Sequence, residues 1–232
     1  AIIILLLLGS WQLSRLGDKT TLLAQFDERS KAPALSLDAL SATPSAHQFQ
    51  RVQLQGSYLH DSEIYLTGRT YEGNAGFHVV TPFVIASSDG GENNSNVVLI
   101  NRGWVSEAYR PKETREFSLF KGEIDLIGIL RMPGRKGYFV PENEPDRGFW
   151  FTLKPDEIAA HLGRDDIEVS YYVDLIRRSE KITLPIAAEV NIDVRNSHFN
   201  YALTWFGLAI ALFGVYLAYH HEQGRFTRKT GE

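Results

Sequence analysis

The sequence predicts a membrane protein of the α+β class, in which two transmembrane helices flank a mainly antiparallel, barrel-like β domain outside the membrane. Residues 201–219 carry no charged side chain and would span about 28 Å as a helix, enough to cross one hydrocarbon core. The middle of the chain alternates polar and apolar residues with period two, as half-buried strands do. The mean hydropathy of −0.19 agrees, because a water-soluble middle must offset the apolar ends.

The first apolar segment is short, covering residues 1–8 before Gly9-Ser10-Trp11. We interpret it as the outer part of a transmembrane helix whose beginning precedes residue 1. A secretory signal peptide is disfavoured because no small-residue cleavage site follows. The predicted domains are residues 1–19 for the first transmembrane helix and its exit, 20–195 for the β-rich domain, 196–221 for the second transmembrane helix and 222–232 for a short basic tail.

Seven segments between these helices have strand patterns: 51–58, 64–67, 77–85, 97–105, 123–131, 149–153 and 167–175. The Gly- and Asn-rich residues 89–96 predict a long hairpin loop. We expect Pro82 at an edge or a bulge, because it has no N–H to donate. Pro155 and two acids followed by Gly163 predict a helix between them. A further helix is expected from the first membrane exit to about Arg29.

Composition excludes several functions. The net charge is −4 and no basic patch is interleaved with aromatic residues, so nucleic acid is not an expected partner. The absence of cysteine excludes disulfides, CxxC redox chemistry and cysteine-ligated zinc or copper, and a single methionine excludes a methionine-rich copper site. No HExxH, Gly-x-Ser-x-Gly or phosphate-binding glycine motif occurs. No local motif therefore argues for an enzyme, although a catalytic site assembled from distant residues stays open.

The first candidate site lies at the first membrane exit. Gln12, Arg15 and Lys19, with Trp11 one turn before Arg15, fall on one helical face. This face suits docking of a partner or of an anionic cofactor group. The alternative, which the sequence alone favours, is an interfacial anchor of aromatic and basic side chains.

The second candidate site is Asn101-Arg102-Gly103-Trp104 at the end of an apolar strand. A glycine there permits a bulge or a close backbone approach. Arg102 could pair with a carboxylate in bidentate fashion, and we expect Arg102 and Trp104 at the membrane-facing or partner-facing end of the domain. The alternative is that Trp104 belongs to the core and Arg102 extends along the surface.

The third candidate site begins the last helix, where His198, Tyr201 and Trp205 share a helical face. A neutral imidazole at this boundary suits a haem-iron ligand. The alternative is a histidine that caps backbone groups and touches lipid headgroups. His220 and His221 fall at the opposite membrane face, and the other histidines fall in the middle segment.

Four motif stretches follow one another along the chain: Gly9-x-Trp11-Gln12-x-x-Arg15-x-x-x-Lys19, Gly76-Phe77-x-Val79-x-Thr81-Pro82, Asn101-Arg102-Gly103-Trp104-Val105 and Asn196-x-His198-x-x-Tyr201-Ala202-x-x-Trp205-Phe206. Together these stretches, in this order, resemble the Surfeit locus protein 1 family of cytochrome c oxidase assembly factors. The departure from the family pattern is Ser197, where a second Asn usually precedes the histidine.

The resemblance implies a role in maturing haem–copper oxidases and not an enzyme: the protein would assist haem a insertion into the catalytic subunit, with His198 as the iron ligand. The implied partners are that subunit, the lipid bilayer and the enzymes of haem a synthesis. Flanking charges leave the orientation open. The resemblance implies a periplasmic domain on the bacterial inner membrane, or a domain facing the mitochondrial intermembrane space.

We add two expectations of our own. Arg15, Lys19 or Arg102 would neutralise the haem propionates, and the partner-contacting residues would be Trp11, Gln12, Trp104, Tyr201 and Trp205. Two other classes of function remain: a structural subunit of an oxidase complex that does not bind haem, and a membrane-anchored periplasmic enzyme.

Overall fold

The computed structural model describes residues 1–37, 43–86, 97–134, 136–176, 183–187 and 197–223. The predicted hairpin loop at 89–96, Asn196 and the basic tail beyond residue 223 lie outside the described residues. The chain divides into two compact units. We call residues 1–25 with 192–232 the helical unit, and residues 26–191 the β unit.

Two long helices form most of the helical unit, and the first continues past residue 25 into the β unit. Helix α1 runs from Ile2 to Lys31 without a break, so the predicted membrane exit and the predicted helix to about Arg29 are one element. Helix α3 spans His198–Glu222 and buries Ala202 and Ala209, two turns apart. A Cβ on Gly9 of α1 would lie 2.7 Å from the ring of Phe206 in α3. Small residues therefore let the two helices approach closely.

Helix α3 is long and apolar enough to cross a membrane, with a mean hydropathy of 1.8 over its best window. Most residues of that window are not buried against the rest of the protein. Such exposure of an apolar helix suits contact with lipid better than a place in a protein core. Among the described helices, α3 alone meets this criterion. In α1 the uniformly apolar part is residues 1–8, and Arg15, Asp18 and Lys19 follow within three turns. The first of the two predicted transmembrane helices therefore stays a prediction.

The β unit is built on one seven-stranded mixed sheet with strand order β1-β2-β6-β7-β5-β4-β3. The pairs β1–β2 and β5–β7 are parallel and the other pairs are antiparallel. Strand β2 pairs with β6 and, at its C-terminal end, also with β4. The strands are β1 (Leu35–Ser36), β2 (Arg51–Tyr58), β3 (Ile64–Tyr71), β4 (Asn74–Ile85), β5 (Val97–Ser106), β6 (Ile124–Arg131) and β7 (Tyr172–Leu175).

The core explains why β5 begins with a continuous apolar run. Val98 and Ile100 pack into one hydrophobic cluster, whereas Val97 and Leu99 pack into another. Successive side chains of a strand point to opposite faces, so β5 is buried on both faces. The second cluster also contains Trp150 and residues of helix α2 (Pro155–Leu162). Helix α2 confirms the sequence prediction, with Gly163 in the left-handed region at its end.

The strand predictions differ from the structure most at three segments. The strand predicted at 64–67 continues to Tyr71 as β3. Residues 149–153 form no named strand; Phe149 and Trp150 make isolated bridges instead. The apolar residues of this segment are explained by Trp150 and Leu153, which lie three residues apart and enter the core beside α2. Of residues 167–175, Tyr172–Leu175 form strand β7 and Ile167 makes one isolated bridge.

The position predicted for Pro82 was also wrong. Pro82 lies within β4, opposite Leu99 of β5, and the bulge falls earlier, between Val79 and Val80. The other edge of β4 pairs with β3 as far as Val80 and with β2 from Phe83 onward. The Pro82 carbonyl accepts a bond from the Leu59 N–H (2.9 Å) on that side. The proline nitrogen faces the same side and is tolerated because the partner strand changes there.

Candidate functional site

The helical unit contains a cleft of about 350 Å³. Five of its lining residues fall at spacings of three or four along α1 and therefore share one helical face. The sixth comes from the first turn of α3, so the two candidate sites predicted at the membrane boundary meet in one cleft. The lining residues are Trp11, Arg15, Asp18, Lys19, Leu22 and His198.

A hydrogen bond between the two helices orients the histidine. Nδ1 of His198 lies 2.7 Å from Oε1 of Gln12. A carboxamide oxygen only accepts, so Nδ1 donates the proton of this bond. In the neutral tautomer with that proton, the lone pair lies on Nε2. Metal-binding histidines are held in this way, by an acceptor on the ring nitrogen that does not bind the metal. The imidazole of His198 is therefore set up to bind a metal through Nε2.

The charges of the cleft lie close to an aromatic side chain. The guanidinium of Arg15 is 5.8 Å from the ring centre of Trp11, and its Nη1 is 3.9 Å from Asp18 Oδ2. Both partners of this ion pair are exposed, so the pair contributes little to stability. Arg15 and Lys19 against Asp18 leave the cleft with an excess of positive charge.

Tyr201 and Trp205 do not line this cleft. Tyr201 is exposed and Trp205 is half-buried, while the buried residue on this part of α3 is Ala202. The small side chain of Ala202 suits the helix contact. The roles of Tyr201 and Trp205 in partner contact stay predictions.

Arg102 lies in the β unit and is buried, with 2% of its surface exposed. Its Nη1 donates to Glu63 Oε1 (2.9 Å), Nη2 donates to the Ser118 carbonyl, and the guanidinium lies 4.7 Å from the ring centre of Tyr58. The alternative, in which Arg102 extends along the surface, was wrong. The expected carboxylate partner is Glu63, which Arg102 binds through one nitrogen. Binding a propionate through Arg102 would require this buried ion pair to open.

Glu63 receives a second guanidinium, from the fully buried Arg115. Tyr65 and Thr81 donate their hydroxyl protons to the same carboxylate at 3.1 and 3.3 Å. Burial alone would raise the pKa of Glu63, but Arg115 and then Arg102 outweigh it and hold that pKa below its ordinary value. Sequence analysis missed Glu63, because its neighbours form no motif and a buried arginine does not indicate which carboxylate it pairs with.

The rest of the Asn101–Trp104 motif supports the fold. Trp104 is 8% exposed, so it takes the core position given as the alternative to a partner contact. A Cβ on Gly76 would collide with the Trp104 indole, so that glycine makes room for the ring. Gly103 has a φ of 110°, and a Cβ there would collide with the Ile186 carbonyl. Asn101 donates to Asp174 at 2.8 Å.

A model of the SURF1 family matches residues 1–210. The chain belongs to the SURF1 family. Surfeit locus protein 1 of Mus musculus is 32% identical over 218 residues, which cover 88% of this chain and 68% of that protein. A SURF1-like protein of Rickettsia bellii is 33% identical over 224 residues, covering 94% of this chain and 86% of that protein. The resemblance seen in the motifs is confirmed.

The motifs of this SURF1-family chain divide into two groups. In the helical unit, the motif residues Trp11, Arg15, Lys19 and His198 line the cleft, and Gln12 orients the histidine. The motif residues of the β unit are engaged in contacts that hold the sheet together. The cleft is therefore the candidate ligand site.

Proposed function

We propose that this SURF1-family protein is an assembly factor for haem–copper cytochrome c oxidase, and that it holds haem a for insertion into the catalytic subunit. The observation that carries the proposal is the cleft in which Gln12 orients His198 beside Arg15 and Lys19. Family membership supports the oxidase-assembly role. The protein binds and releases haem and catalyses no reaction itself.

The residues of the cleft fit the chemistry of haem. A neutral imidazole with its lone pair on Nε2 can ligate haem iron. Arg15 and Lys19 supply the cations that carboxylates such as propionates bind. Trp11 and Leu22 add apolar surface, as ligand sites require, and the cleft volume of about 350 Å³ is that of a small-molecule site. Bound haem would bring the redox-active iron that the oxidase needs.

We propose that α1 enters the same bilayer as α3, within the predicted division into segments 1–19, 20–195, 196–221 and 222–232. The apolar residues 1–8 and the close contact of Gly9 with Phe206 support this arrangement. The pairing of β2 with both β6 and β4 supports closure of the sheet into a barrel. The β unit would face the periplasm of a bacterium or the mitochondrial intermembrane space.

The proposed partners are the oxidase catalytic subunit, the bilayer and the enzymes of haem a synthesis. Tyr201 is 57% exposed, although it is aromatic, and is proposed to contact the protein partner together with Trp205. A role as a structural subunit without haem is the competing function. Haem content separates the two.

The decisive experiment compares full-length protein and His198→Ala, each purified in detergent from cells that co-express haem a synthesis. We expect haem a per mole of protein to fall sharply in the variant, because the iron loses its ligand, while the amount of inserted protein is unchanged. His161→Ala, an exposed histidine in α2, is the matched control and should keep its haem. Unchanged haem occupancy in His198→Ala would exclude His198 as the ligand and favour the structural-subunit function.

A further inference from the structure

The loop at residues 137–141 of the β unit carries two adjacent aromatic side chains in full exposure. Tyr138 is 94% exposed and Phe139 is 93% exposed, more than any other large hydrophobic residue that the structure describes. Their rings pack edge to face, with centres 5.1 Å apart. Leaving a large apolar side chain in water forgoes about 1.5–3 kcal/mol of burial. This exposure calls for a physical explanation.

Local folding does not explain the two aromatic residues. The Gly137 carbonyl accepts a bond from the Val140 N–H (3.1 Å), which places Tyr138 and Phe139 at the two central positions of a turn. Gly, Asn, Asp and Pro are the residues that favour such positions, and aromatic residues are not. Lys136 and Glu142 form an ion pair that closes the base of the loop. The turn therefore holds the two rings at its tip.

Neither ring belongs to the hydrophobic clusters of the β unit. The tip is also small for a protein interface. Two aromatic side chains bury about 150–250 Å² each, whereas a stable interface buries about 800 Å² on each partner. A surface of this size suits a secondary contact in a protein that another segment already anchors.

We propose that Tyr138 and Phe139 insert into the interfacial region of the bilayer that holds α3. The β unit is continuous in sequence with the helical unit at both of its ends, so the bilayer is tethered to it. Because the tether keeps the β unit close to the membrane, the effective concentration of the bilayer at the loop is high, and even a weak contact can be occupied. Aromatic rings prefer the headgroup level of a membrane, and a tyrosine hydroxyl can stay hydrated there. The insertion rests on the membrane anchoring proposed above and is independent of haem binding.

The test uses the absence of cysteine, because one introduced thiol can be labelled uniquely. Full-length Val140→Cys, which keeps both aromatic residues, is labelled with an environment-sensitive fluorophore and reconstituted into phosphatidylcholine vesicles. We expect blue-shifted emission, quenching by lipid spin-labelled near the headgroup, and loss of quenching by aqueous iodide. Tyr138→Ser combined with Phe139→Ser in the same background should abolish all three effects.

Two further labels complete the test. Val169→Cys, an exposed apolar position elsewhere in the β unit, should stay open to iodide and shows that the fluorophore does not insert by itself. Leu208→Cys in α3 reports membrane anchoring and should be quenched by lipid. If the Leu208 label is quenched by lipid but the Val140 label is quenched by iodide, anchoring stands and the insertion is wrong.

Two other results also overturn the proposal. If neither the Leu208 label nor the Val140 label is quenched by lipid, membrane anchoring fails together with insertion. If the Val140 label is shielded from both iodide and lipid, a second copy of the chain covers the tip.

Discussion

The helical unit and the β unit use charged motif residues in opposite ways. In the helical unit, Arg15 is exposed over Trp11 and lies 3.9 Å from an exposed carboxylate. In the β unit, Arg102 and Glu63 are each 2% exposed in their side chains and are bonded at 2.9 Å. An exposed pair is nearly neutral for stability, whereas removing one partner of a buried pair is costly. The comparison teaches that burial, not residue type, separates the cleft residues from the residues that maintain the fold.

The largest expected effect on stability comes from breaking the buried ion-pair network around Glu63. Glu63→Ala should lower the free energy of unfolding by about 3–5 kcal/mol, because Arg102 and Arg115 would remain buried without a counter-charge. Urea denaturation followed by tryptophan fluorescence measures it. Glu113→Ala removes an exposed carboxylate that lines the same surface pocket of the β unit as Glu63, and it should cost about 0–1 kcal/mol. Equal losses in the two variants would contradict the contrast drawn between buried and exposed charge.

The next effect is a pH dependence of the β unit. Burial, and then the positive charge of Arg69, lowers the pKa of His78 from 6.5 to about 4. Between these values the unfolded chain binds more protons than the folded chain. The contribution of His78 to stability is therefore complete above pH 6.5 and is lost as the pH falls to about 4. A shift of this size corresponds to about 3 kcal/mol.

Urea midpoints measured across this pH range check the prediction. His78→Gln should flatten the dependence, whereas His161→Gln, at an exposed histidine, should keep it. An unchanged slope in His78→Gln would show that the buried imidazole is not the group that titrates.

The smallest expected effect on stability concerns the exposed cleft of the helical unit. Gln12→Leu removes the acceptor from His198 Nδ1 and should cost about 0.5–1.5 kcal/mol of stability. The loss of that orienting bond should weaken haem binding by about 10- to 100-fold, read from the visible absorbance during haem titration. Gln12→Glu keeps an acceptor and should restore most of the affinity.

Gln25→Leu, at an exposed position on the same helix, is the control and should leave the haem affinity unchanged. If Gln12→Leu binds haem with unchanged affinity, the hydrogen bond does not orient His198 for ligation.

Local pattern predicted much of the helical unit. The charge-free run at 201–219 indicated α3, and helical spacing placed Trp11, Arg15 and Lys19 on one face. These predictions succeed because a helix fixes the relation between residues three and four apart, whatever surrounds it. The same reasoning predicted α2 from its Pro and Gly boundaries.

By itself the sequence determined the types of the long helices and of most strands, the family and the histidine at the start of α3. The tertiary structure alone decided which distant groups meet. Glu63 reaches Arg102 across 39 positions, and Gln12 reaches His198 across 186. It also decided that Pro82 is tolerated inside β4, because β4 changes its partner from β3 to β2 there. Such pairings depend on strand register and helix packing, which arise from burial of many side chains at once and are not encoded in the spacing of any short segment.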